Sequence, residues 1–191
     1  MNEATQIILL HQLLFQGMFF TKNLLLRIKL RKPIRGNNRE ASRAVAFFVL
    51  FIFIALYLAW TGSAFGALRI LPDTGATSLC LLLLGFNMAV AALSLKDLGD
   101  SWRVGVIQEQ QTQLIESGIY SVTRNPYFLA YLLMFAGYTL LLQNLVLLAL
   151  SFIGFFMVHA MILKEEAYLE SVHGQAYLDY KRRVSRYSPL S

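Results

Sequence analysis

Hydrophobic residues in this chain gather into blocks of helix-crossing length, separated by short polar stretches. Residues 4–20 form the first block, though His11 and three glutamines interrupt it. Residues 44–61 are almost wholly apolar, with Tyr57 and Trp60 at the end where an interfacial aromatic belt belongs. Residues 77–95 make a third block, and 127–142 and 145–163 a fourth and fifth. The last two are joined only by Gln143-Asn144, the mark of a tight helical hairpin. About 20 helical residues cross a bilayer. The pattern therefore predicts an all-α, polytopic membrane protein with about five transmembrane helices. Block 127–142 spans about 24 Å as a helix, so it reaches part-way across or thins the bilayer locally. Block 4–20 is expected to span, with an interfacial helix as its alternative. A cleaved leader is disfavoured, because the start is Met-Asn-Glu without a basic region.

The polar stretches set orientation. Between 22 and 43 stand Lys22, Arg27, Lys29, Arg31, Lys32, Arg35, Arg39 and Arg43, opposed only by Glu40. Such an excess marks the cytoplasmic side and also attracts anionic lipid. The N-terminus is then expected outside and the C-terminus in the cytoplasm. The 62–76 stretch has turn composition (Gly62, Gly66, Pro72, Asp73, Gly75) and one basic residue, Arg69. The tail from Lys164 places Ala167, Tyr168, Val172, Tyr177 and Tyr180 on one side and ends in Lys181, Arg182, Arg183 and Arg186. It reads as an amphipathic cytoplasmic helix broken near Gly174. Neither an internal repeat nor a disordered linker stands out, so residues 1–191 are expected to form a single domain.

Composition agrees with the membrane class: 57% of the chain is hydrophobic and mean hydropathy is positive. The net charge of +6 does not point to nucleic acid, because the basic residues flank apolar blocks. Cys80 is the only cysteine, so an intramolecular disulfide and a cysteine metal site are both excluded. No metal site is expected. The size, without long loops, suits a bacterial plasma-membrane protein.

Candidate chemistry lies in two polar islands. Gly118–Phe128 reads Gly-Ile-Tyr-Ser-Val-Thr-Arg-Asn-Pro-Tyr-Phe, with Asn125 suited to cap a helix and Pro126 to its first position. The second island is Lys164-Glu165-Glu166. The intervening hairpin brings both to one membrane surface. Each island has a plain rival reading: Arg124 as a snorkelling anchor, the glutamates as a solvated turn, and Trp102, Tyr177 and Tyr180 as belt residues.

Lys96-Asp97-Leu98-Gly99 with Trp102, Gly118-Ile119-Tyr120, Arg124-Asn125-Pro126, then Glu165-Glu166, Leu169, Gly174, Tyr177, Tyr180, Arg186 and Pro189 follow a familiar order. In them the chain resembles the integral-membrane methyltransferases, which include isoprenylcysteine carboxyl methyltransferase and the phospholipid N-methyltransferases. The resemblance covers roughly 77–191. It implies S-adenosylmethionine-dependent methyl transfer to a lipophilic acceptor taken from the bilayer. It places cofactor contacts at Thr112, Gln113, Leu114, Ile115, Tyr120, Arg124, Asn125, Pro126, Phe128 and Glu165, and chemistry at Arg124, Glu165 and Glu166. Aromatic faces at Tyr120, Tyr127 and Trp102 suit a sulfonium. Two departures stand out. Phe128 occupies the place where the family commonly has tyrosine, and Met161 the place where the carboxyl methyltransferases have arginine. The alternatives are a membrane reductase of the sterol-reductase type using NADPH, and a non-enzymatic membrane scaffold.

Overall fold

The computed structural model describes residues 1–31, 39–102 and 113–187, the side chains of 39–41 excepted. Six α-helices follow in order: α1 (Glu3–Leu30), α2 (Arg39–Thr61), α3 (Asp73–Leu98), α4 (Pro126–Leu142), α5 (Leu145–His173) and α6 (Gln175–Arg183). Short 3-10 turns occupy Gly99–Ser101 and Gly118–Ser121. The only extended pairing among the described residues is an isolated bridge between Ala67 and Asn144.

The expected count of about five membrane-crossing helices is corrected. Among the described residues, three helices are long and apolar enough to cross: Ser42–Thr61, Asp73–Ser101 and Leu145–His173. They support an integral membrane location. Helix α4 is too short, at 17 residues. Helix α1 is long enough at 28 residues, but Gln6, His11, Gln12, Gln16 and Lys22 dilute its hydropathy below that of the three.

Those α1 polar groups turn inward. His11 Nδ1 lies 2.7 Å from the Tyr138 hydroxyl and Nε2 lies 2.8 Å from Asn87 Oδ1. Asn87 Nδ2 donates to the Ala130 carbonyl, which leaves Oδ1 to accept from His11. Gln12 Nε2 donates to Tyr138 at 2.8 Å, and Gln16 donates to Gln12 Oε1. Among apolar surroundings, helices associate through packing and such internal hydrogen bonds rather than by expelling water. Phe51, Phe135 and Tyr138 are fully buried beside this network, and Phe135 packs against the Phe47, Phe48 and Phe51 rings. Outward faces are apolar instead, as at Leu13, Phe53, Leu82 and Phe156.

The bundle has two distinct ends. At one, Asn2 meets the Ala59 carbonyl, and the 65–71 loop is tied to the hairpin turn. There Gln143 Oε1 accepts from the Ile70 and Leu71 amides, and Asn144 caps α5 while donating to the Phe65 carbonyl. The other end gathers the α1, α3 and α5 C-termini, the start of α4 and α6. Lys29 pairs with Asp100, and Trp102 Nε1 donates to Asn23. The expected break near Gly174 is present. That residue has φ +54° and lets α6 turn back, burying Tyr177 and Tyr180 while Lys181, Arg182 and Arg183 stay outside.

Candidate functional site

Glu166 is the hub of the charged end. Its Oε1 accepts from Arg124 Nη2 at 3.0 Å, Arg124 Nε at 3.3 Å, Asn125 Nδ2 at 3.1 Å and Arg186 Nε at 3.1 Å. Its Oε2 accepts from Arg186 Nη2 at 2.9 Å. The Glu166 and Arg124 side chains are only 5% and 7% exposed, so this ion pair is desolvated and both groups depend on it. Arg186 is held above its ordinary range by hydrogen bonding to Glu166.

Arg124 does more than neutralise Glu166. Its Nη1 donates to the Val184 and Lys181 carbonyls, and its backbone N–H donates to the Ser185 carbonyl at 3.0 Å. Thr123 Oγ1 and Asn125 Nδ2 both donate to the Arg186 carbonyl. The short stretch before α4 thus fastens the chain after α6 from several directions. Asn125 stands at the N-cap of α4 with Pro126 in the first turn, but its side chain makes no capping bond. Its amide serves Glu166 instead.

The 118–121 turn is set by close packing. The Ile119 amide donates to Asp97 Oδ2 at 2.7 Å, and Gly118 has φ +63°. A Cβ at Gly118 would overlap the Asp97 carboxylate, so glycine is required twice over. Tyr120 then points inward, its hydroxyl 2.8 Å from Ser94 Oγ and its carbonyl accepting from Tyr180 at 2.6 Å. Burial pushes the Tyr120 phenol well above its ordinary range, with the Ser94 hydrogen bond opposing only part of this, so the hydroxyl stays protonated.

Glu165 differs from its neighbour. It is half-buried, and no hydrogen-bond donor among the described residues reaches its carboxylate. It lies within electrostatic reach of the Tyr120 and Tyr127 hydroxyls. The Tyr127 ring sits 4.7 Å from Trp102, edge to face, with its own hydroxyl bonded to Tyr131. A second unsatisfied group is close at hand. Tyr177 is 1% exposed, its hydroxyl lies beside the Arg124 side chain without a well-formed hydrogen bond, and it feels the charges of Glu166, Arg124 and Glu165.

The hairpin therefore brings Arg124, Asn125, Glu165 and Glu166 to one end. The other sequence-predicted residues scatter. Gln113 is exposed, Leu114 packs on Tyr177, Tyr180 and Val184, and Ile115 is half-buried. Pro126 is buried at the α4 start, and Phe128 lies in the core beside Tyr127. Met161 packs at the margin of that core. Thr112 lies outside the described residues, as does Pro189. Sequence reasoning placed Arg186 at the basic end of the tail and in the family pattern without seeing it as a partner of Glu166, and passed over the Tyr177 hydroxyl. Charge balance was the available signal: two carboxylates beside one arginine call for a second cation.

The family description "phospholipid methyltransferase" matches residues 76–176, slightly more than half of the chain. The match takes in α3, the Asp97–Ile119 contact, Arg124, Asn125 and both glutamates. No curated protein matches the chain.

Proposed function

Because the chain belongs to the phospholipid methyltransferase family, we propose that it is an S-adenosylmethionine-dependent methyltransferase acting on a lipophilic acceptor drawn from the membrane. The carrying observation is the inequality of the two glutamates: Glu166 is saturated by Arg124, Asn125 and Arg186, whereas Glu165 takes no protein donor among the described residues. A carboxylate left open beside aromatic rings fits a ligand that brings both a cation and hydrogen-bond donors. S-adenosylmethionine supplies an electrophilic methyl on a sulfonium, together with an amine and ribose hydroxyls.

The work of this chain is positioning. Glu165 accepts from the amine or a ribose hydroxyl of the donor. Tyr120 and Tyr127 lie within electrostatic reach of Glu165, Trp102 packs on Tyr127, and the Tyr177 hydroxyl stands near the same carboxylate. Arg124 and Asn125 act through Glu166, fixing the start of α4 against α5 and the segment after α6. Gln113, Leu114 and Ile115, which lead into the 118–121 turn, would add contacts on the donor side. Methionine at position 161 disfavours a prenylcysteine carboxylate as acceptor more than a lipid amine. The site faces the cytoplasm, a reading supported by the excess of basic residues in the 22–43 stretch, in a bacterial plasma membrane. The whole 1–191 chain acts as one domain, with the chemistry in 77–191.

The second reading is a non-enzymatic scaffold. It is favoured by the engagement of every Arg124 side-chain nitrogen within the protein. Equilibrium binding of labelled S-adenosylmethionine to the full chain in nanodiscs separates the readings, with NADPH as a parallel ligand. Saturable binding of the methyl donor, lost in a folded Glu165→Gln variant, is expected. Binding of neither ligand supports the scaffold, and binding of NADPH instead makes the protein a reductase.

A further inference from the structure

A cleft of about 520 Å³ opens between the Ser121–Arg124 turn and the segment Lys181–Arg186. Five cationic side chains line it (Arg124, Lys181, Arg182, Arg183 and Arg186), and among the described residues no carboxylate does. Arg124 and Arg186 are tied to Glu166, but Arg182 and Arg183 project outward with side chains 71% and 64% exposed. Their partners are Asp179 at 3.5 Å and Glu116, pairs exposed enough for water and salt to compete with them. Lys181 meets Glu170 at 3.4 Å on similar terms.

The cleft lies at the boundary between polar and apolar surface. Arg124 stands two residues before Pro126, where the apolar α4 begins, and Glu166 stands just beyond Leu163, where the apolar run of α5 ends. Val122, 48% exposed, adds an apolar contact in its wall. Where apolar helix surface gives way to basic side chains, the phosphates of a bilayer are the nearest anions. An ammonium-bearing headgroup would want a carboxylate or an aromatic face in the lining, and among the described residues the cleft offers neither.

We propose that this cleft holds the phosphate of an anionic, amine-free glycerophospholipid, as a docking site separate from the Glu165 side of the clamp. The proposal stands on charge and placement and does not need the methyltransferase reading. Each Lys or Arg near an anionic membrane surface is worth about fivefold in binding. Removing Arg182 and Arg183 together is therefore expected to lower affinity by about tenfold or more.

The test is native mass spectrometry of the full chain in neutral detergent, titrated with phosphatidylglycerol, phosphatidylcholine or inorganic phosphate. Preferential retention of phosphatidylglycerol is expected, with loss of the preference in Arg182→Gln/Arg183→Gln and its survival in Arg182→Lys/Arg183→Lys. Unchanged protection of the Arg124 amide against hydrogen exchange checks that the variants are folded. Equal retention of the two lipids overturns the proposal, as does a preference that persists in the glutamine variant. Saturable binding of inorganic phosphate that displaces the lipid makes this a site for a soluble anion and overturns the lipid assignment.

Discussion

Glu166→Ala tests the charged clamp directly. The substitution removes an acceptor of five hydrogen bonds and leaves Arg124, with a side chain only 7% exposed, without its counter-charge. Breaking a buried pair from one side costs about 3–5 kcal/mol. Arg124 keeps the Lys181 and Val184 carbonyls, so the lower figure applies, about 3 kcal/mol. At about 1.4 kcal/mol per factor of ten, the segment after α6 should open about a hundred times more often. The Arg124 amide reports this, because its only backbone acceptor is the Ser185 carbonyl across the clamp. Its hydrogen exchange should accelerate about a hundredfold. Arg186→Ala, at a side chain 30% exposed, should cost about 1 kcal/mol and accelerate exchange about fivefold. Glu165→Ala should leave it unchanged. Acceleration of less than about threefold in Glu166→Ala would refute the reasoning, as would equal effects of the two glutamates.

Three further outcomes follow from local geometry. Gly118→Ala should drive Asp97 off the Ile119 amide, lowering the thermal midpoint in nanodiscs more than Gly62→Ala, which shares the strained positive φ but gives its Cβ open space. Asn144→Ala removes the α5 cap and the Phe65 tie, and should cost about 1–2 kcal/mol in detergent-driven unfolding. His11→Leu leaves the Tyr138 hydroxyl and Asn87 Oδ1 short of partners and should cost about 1–3 kcal/mol by the same measurement. His11→Gln, which can still bridge, should cost less.

The helical hairpin was legible because its signals are local: two apolar runs, a two-residue polar joint and Asn-Pro at the start of the first arm. The break at Gly174 was legible for the same reason. Asn125 shows the limit of local reading. Its sequence position says cap, yet the side chain is drawn to Glu166, 41 residues away. Which of two adjacent glutamates faces Arg124 depends on the rotation of α5 about its axis, set by packing against α4 and α2. Adjacent helical residues point about 100° apart, so the choice is categorical and no spacing rule reveals it. The count of crossing helices failed for a related reason. Apolar runs were counted without asking how polar residues inside them are satisfied, and in α1 the answer lies on α3 and α4. The pairing of Arg186 with Glu166 was invisible because it forms only after α6 folds back.

The most direct test of the central claim is transfer of labelled methyl from S-adenosylmethionine into organic-extractable material by the full chain in lipid vesicles. The vesicles should carry zwitterionic, anionic and prenylated acceptors in turn. The account predicts label in the lipid phase with at least one acceptor class, and its loss in Glu165→Gln while the Arg124 amide stays protected. Equal labelling by that variant, or none above protein-free vesicles with any acceptor and a folded protein, would contradict it.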